Sequence, residues 1–124
     1  MHLVKFRIDI APVTKKNHGQ IIVNRKTGKP MVIPSKQFLQ YEKDAHWFMP
    51  KISTIEEPVN VKAVFYMPTK RRVDLVNLQE ALLDVLVKEQ IIADDNSNIV
   101  FSMDGSYVDY DKDHPRTEVY IWKV

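Results

Sequence analysis

The sequence predicts an α+β protein, a mixed β-sheet covered by two amphipathic helices, and three observations predict it. Period-two apolar runs occur near both ends and in the middle, two stretches repeat apolar residues at helical spacing, and turn residues separate them. With 124 residues, 44% of them hydrophobic, the chain suffices for one core and is too short for two ordinary domains. A single domain over 1–124 is expected.

The first run, HLVKFRIDI over 2–10, sets Val4, Phe6, Ile8 and Ile10 against Leu3, Lys5, Arg7 and Asp9, a partly period-two strand pattern that Ala11 and Pro12 end. A polar, basic loop from Val13 to His18 follows. QIIVNRKTGKPMVIP then reads as two β segments about Lys26-Thr27-Gly28-Lys29, with Gly28 as the turn residue, a hairpin that projects basic side chains. Ser35 fits a helix N-cap, and Phe38, Leu39, Tyr41, Ala45, Phe48 and Met49 continue at helical spacing until Pro50. After Pro58, VNVKAVFYM alternates as a second core strand ending at Pro68. Residues 74–88, DLVNLQEALLDVLVK, place Leu75, Leu78, Leu82, Val85 and Leu86 on one side of a helix. Asp94-Asp95-Asn96-Ser97-Asn98 is a polar turn, and NIVFSMD and TEVYIWKV are the last strands, with Gly105 and Pro115 marking breaks. Trp47, Phe48 or Tyr107 remain as apolar surface for a dimer interface.

Composition limits the function. No run approaches the roughly 20 apolar residues of a membrane span, and Met-His-Leu-Val-Lys lacks the core of a secretion signal, so the expected place is the cytoplasm and no membrane partner is expected. The absence of cysteine leaves oxygen or imidazole donors for any metal, which favours magnesium or manganese. A net charge of +2 is uninformative, but its distribution is not. Cations gather at Lys15, Lys16, Arg25, Lys26, Lys29 and Lys36, and again at Lys70, Arg71 and Arg72, while carboxylates concentrate between Asp74 and Asp113.

The polar side of the second helix gathers Asn77, Glu80, Ala81 and Asp84, with Asp74 at its N-terminal end, where a carboxylate also caps a helix. Asp94 and Asp95 lie in the turn that follows, and a fold-back toward Asp74 would complete an oxygen-rich site for the divalent ions that phosphodiester hydrolysis commonly uses. The plainer account is that the helix face is simply solvated, that Asp-Asp-Asn-Ser makes a turn, and that Lys70-Arg71-Arg72 is a surface loop. His18 reads as a loop histidine, and His2, His46 and His114 show no metal spacing. Asp104 lies near a possible hairpin and could face the site, whereas Trp122 reads as core or edge.

The segment RRVDLVNLQEALLDVLVKEQIIADDNSNIV resembles the signature of RusA-type Holliday junction resolvases. In that pattern a basic run precedes D-x-D-N, a helix carries D-x-L, and an acidic turn closed by an aliphatic residue completes the site. Arg71, Arg72, Asp74, Asn77, Asp84, Leu86, Asp94, Asp95 and Ile99 carry the match, and Pro12 to Asn17 is similar to the family's loop after its first strand. The resemblance implies a homodimer without an organic cofactor that binds four-way junctions and cuts opposed strands with Mg2+, Mn2+ being a possible substitute. It makes Asp74 and Asp95 metal-site carboxylates with Asp94 beside them, and implies work on phage or prophage DNA in recombination, repair or packaging.

Two positions depart from the pattern. Val76 stands where the second aspartate of D-x-D-N is expected, and Glu80 where a lysine is common. One account is compensation: Glu80 replaces the lost carboxylate and Asp84, one turn on, contributes to the metal site. The other is a degenerate nuclease that binds junctions without cutting. The catalytic candidates are therefore Asp74, Asp95 and Glu80, the metal candidates Asp74, Asp84, Asp94 and Asp95, and the DNA-binding candidates Lys15, Lys16, Asn17, Lys70, Arg71 and Arg72. A structural protein unrelated to DNA is the third class, and it predicts no DNA binding even at low salt.

Overall fold

A computed structural model describes residues 2–15 and 20–124. Its elements are β1 (His2–Ile8), β2 (Gln20–Val23), β3 (Pro30–Ile33), α1 (Lys36–Ala45), β4 (Val59–Met67), α2 (Leu75–Lys88), β5 (Val100–Ser102), β6 (Tyr107–Tyr110) and β7 (Arg116–Lys123), with a 3-10 turn at His46–Phe48.

β4 is the hub because its side chains are apolar enough to be buried along most of its length, with Val59, Val61, Ala63 and Phe65 at most 1% exposed. One edge pairs antiparallel with β7, which in turn pairs antiparallel with β1. The other edge is shared: β5 runs parallel beside its start, at Val59↔Val100, and β6 runs parallel beside its end, from Val64↔Tyr107 to Met67↔Tyr110. The sheet is therefore mixed, as expected. β6 was not expected as a strand, since YVDY leaves Tyr107, Asp109 and Tyr110 exposed and shows no apolar face. Buried Asn60 secures the connection between β5 and β6, donating to the Asp104 carbonyl at 3.1 Å and accepting from the Asp104 amide at 2.8 Å.

The inner face of β4, β7 and β1 packs against Leu78, Leu82, Val85 and Leu86 of α2 and Phe38, Tyr41 and Ala45 of α1 in one apolar cluster. Leu75 is only partly buried, and Ala81, expected on the polar stripe, is 1% exposed. Its methyl is small enough to sit at the boundary between the two helix faces and still fill the core.

Helix ends follow their sequence signals. The Ser35 hydroxyl accepts from the Phe38 amide at 3.1 Å. α1 ends at Ala45 rather than continuing to Pro50. Its last turn tightens into the 3-10 segment, where the Met49 amide donates to the His46 carbonyl, and Pro50 has no N–H to extend the ladder. Asp74 caps α2, its carboxylate accepting from the Val76 amide at 3.0 Å. Gln90, at φ 59°, turns the chain out of α2 in the left-handed conformation.

β2 and β3 form a separate hairpin from Gln20↔Ile33 to Val23↔Pro30, turned by Gly28 at φ 69°. Arg25, Lys26 and Lys29 are exposed there, as expected, and so are Ile21 and Val32. Trp47 and Tyr107 are exposed as well, while Phe48 packs partly against the core. No helix among the described residues is long and apolar enough to cross a membrane.

The opposite face of the sheet carries a polar network. The Arg116 guanidinium lies 3.8 Å from the Tyr66 ring centroid and donates to Asp111 and Glu118, each at 2.9 Å. Burial opposes ionisation of Glu118, but bonds from Arg116 and Tyr120 outweigh it and hold the carboxyl below its ordinary value; Arg116 first of all does the same for Asp111. Both carboxyls have lowered folded values, so their contribution to stability is present above the unfolded values of 4.5 and 3.8 and is lost as pH falls through the folded ones. Arg116→Met is therefore expected to lower the thermal midpoint at pH 7, and the gap from the unsubstituted protein is expected to narrow as pH falls through the folded values. Parallel midpoint-versus-pH curves would contradict this.

Candidate active site

The site is built around α2. The loop after β1 buries Pro12 and Thr14, which join Gln37, Arg71 and Arg72 around a depression of about 250 Å3 at the N-terminal end of α2. The loop therefore brings the chain past the basic run and onto the helix. Arg71 and Arg72 are exposed, and the Lys70 ammonium lies 5.2 Å from the Tyr110 ring centroid. Lys16 and Asn17, the other loop candidates, and His18 lie outside the described residues.

Lys15 ends this stretch with its ammonium bonded to the Asp84 carboxylate, both side chains about 30% exposed. That bond raises Lys15 above its ordinary pKa against the opposing effect of burial, and Asp84, Glu80 and Glu42 add to it as nearby negative charges. Glu42 comes from α1, where it also pairs with Lys88 at 3.5 Å, and it was not among the sequence candidates. Nothing in its spacing marks it, because only the packing of α1 against α2 brings it near.

Beyond α2, Asp94 accepts from the Asp95 amide at 2.7 Å and from the Asn96 side-chain amide at 3.1 Å, so it shapes the turn. Burial, then Asp94 and to a lesser degree Asp84, push the Asp95 carboxyl above its ordinary range. Asp84 is thus a common neighbour of Lys15 and Asp95.

Asp74 does not join this group. Ten residues of helix at 1.5 Å each put it roughly 15 Å from Asp84 along α2. The expected fold-back of Asp94 and Asp95 toward Asp74 is corrected by the sheet. The Ile55↔Ile92 bridge and the Val59↔Val100 pair hold the turn at the start of β4, whereas Asp74 follows the strand's far end. Val76, in the first turn of the helix, is 64% exposed. Two histidines have other partners: His46 meets Glu89, and His114 meets Asp9 at 3.0 Å. Asp104 is bound through its backbone to Asn60.

The donors near α2 are carboxylates, the chemistry a hard divalent cation prefers. Yet among the described residues no three acidic or histidine side chains lie close enough to hold an ion.

Carboxylates at both ends of one helix, with cations along the loop beside it, define the class: a protein whose charged surface can meet the phosphates of a nucleic acid. The family model described as Endodeoxyribonuclease RusA matches residues 9–122. The chain belongs to the RusA endodeoxyribonuclease family, and membership implies a DNA-cleaving hydrolase that acts on Holliday junctions. A search among curated proteins found no match.

Proposed function

We propose that this protein, as one domain over residues 1–124, acts as a homodimer that resolves Holliday junctions and related branched DNA by hydrolysing phosphodiesters in opposed strands, with Mg2+ required and Mn2+ able to replace it. Processing of phage or prophage DNA in recombination and repair belongs to the same reading. The observation that carries it is the division of the family's acidic residues between the two ends of α2. A chain that holds Asp74 at the start of α2 and Asp95 in the turn beyond its end unites them by meeting a second copy. A two-fold dimer then places Asp74 of one protomer with Asp94 and Asp95 of its partner, twice, and offers a pair of equal sites to a nearly two-fold junction. Arg71, Arg72 and Lys70, with Lys16 and Asn17, hold the phosphates that set the junction's register. Glu80 and Asp84 border the same site on α2.

The test is single-turnover cleavage by Asp74→Ala and Asp95→Ala. Each is expected to lose on the order of 100-fold or more in rate while still binding junction DNA in chelator. Cutting at the parental rate by both would overturn the assignment. The second reading, a junction binder that no longer cuts, is favoured by exposed Val76 standing where a carboxylate is expected. It predicts the same junction affinity with and without magnesium, and no cutting by the unsubstituted protein.

A further inference from the structure

The helix face that includes Glu80 and Asp84 would by itself repel DNA. Two carboxylates project from α2, Glu42 of α1 adds a third negative charge, and Asp95 is near enough for the charge of Asp84 to act on it. The structure brings a cation to that face. Lys15, 69 residues from Asp84 in the chain, reaches it from the loop after β1. Buried Pro12 and Thr14 anchor that loop. At about 30% exposure the Lys15 side chain is open to solvent, and its four-carbon stem lets the ammonium leave Asp84 for a neighbouring anion without moving the backbone.

We propose that Lys15 is a catalytic cation of this site, stored on Asp84 and transferred to a non-bridging oxygen of the scissile phosphate when DNA binds. This rests on the nuclease reading above and gives Glu80 and Asp84 a different role: they hold and orient the lysine. The helix itself offers a glutamate at position 80, so the positive charge that steadies the phosphate comes from the loop instead. Lys15 stays protonated throughout. As the oxygen of the attacking water bonds to phosphorus and the ester P–O bond breaks, the ammonium compensates the charge gathering on the phosphate oxygens. The water's proton passes to solvent, and the leaving oxygen takes one from solvent.

The experiment compares the parent with Lys15→Met, Glu80→Lys and the double variant Lys15→Met/Glu80→Lys. Single-turnover cleavage of a synthetic four-way junction is measured at saturating protein, with junction affinity measured separately in chelator. Lys15→Met is expected to cut on the order of 100-fold more slowly, the effect of removing one stabilising group from a transition state. Its affinity should change by no more than about threefold, since one phosphate contact among several is lost. The double variant, with its cation on α2, is expected to recover at least about tenfold over Lys15→Met, a non-additivity that a merely structural role does not produce. Lys15→Gln gives the same readings if methionine perturbs the loop, and thermal unfolding checks that each variant is folded. Lys15→Met cutting at the parental rate at saturation, or a loss confined to affinity, would overturn the proposal and leave Lys15 as a phosphate clamp. A double variant no faster than Lys15→Met would overturn the storage on this helix face. If the unsubstituted protein cuts nothing, the nuclease reading itself fails and this proposal with it; a cutting parent alongside an equally active Lys15→Met sinks the proposal alone.

Discussion

Mixing Asp74→Ala protein with Asp95→Ala protein is expected to restore junction cutting that neither variant shows alone. The reason lies in the geometry of α2, which holds Asp74 and the Asp84–Asp95 group roughly 15 Å or more apart within one chain. If each site draws Asp74 from one protomer and Asp95 from the other, a mixed dimer collects both lesions in one site and leaves the second intact. Random exchange makes about a quarter of all sites intact, and the products should be single nicks rather than paired cuts. Sites contained in one chain behave differently, since each site of the mixed dimer then carries one lesion. No recovery, in a mixture whose exchange is verified with tagged chains, would contradict the shared site.

The largest effect on stability is expected at Phe65. Its ring, 1% exposed, lies on the inner face of β4, within the apolar cluster that α1, α2 and β7 complete. Phe65→Ala removes the ring from a region with little freedom to collapse, since β4 is paired on both edges. It should cost about 3–5 kcal/mol in denaturant unfolding. β4 also separates the Asp94–Asp95 turn from Asp74 within the chain, so the surviving folded fraction should cut more slowly. A cost below about 1 kcal/mol would contradict the central place given to β4 in this fold.

The parts of this structure that sequence reveals are those whose pattern is local. The apolar stripe of 74–88 and the alternation of 59–67 fixed α2 and β4 almost to the residue, because each buries one regular face. Ser35, Gly28 and Asp74 were readable as caps or turn because their chemistry acts within a few residues. β6 was not readable: Tyr107–Tyr110 is short and mostly exposed, and only parallel pairing with β4 makes it a strand. Among the site residues, Asp74, Asp84, Asp94 and Asp95 stood out as a motif, but their order along the chain carries no information on which end of α2 the turn would meet. That was decided by Ile55, Ile92, Val59 and Val100, four aliphatic residues with no chemical role of their own. The contact of Lys15 with Asp84 is wholly tertiary, and a lysine in a basic loop offers no sign of a carboxylate partner 69 residues away.

Family membership, the cations of the loop and the divided carboxylates all bear on one claim, that this chain cuts branched DNA with a divalent ion. The most direct measurement is cleavage of an end-labelled synthetic four-way junction by the unsubstituted protein in magnesium, in manganese and in chelator, with a matched linear duplex as control. Paired nicks in opposed strands, present with either ion and absent in chelator and on the duplex, are the predicted result. Tight, magnesium-independent binding of the junction with no nick in any strand would contradict it and identify a junction binder in which Val76 marks a lost active site.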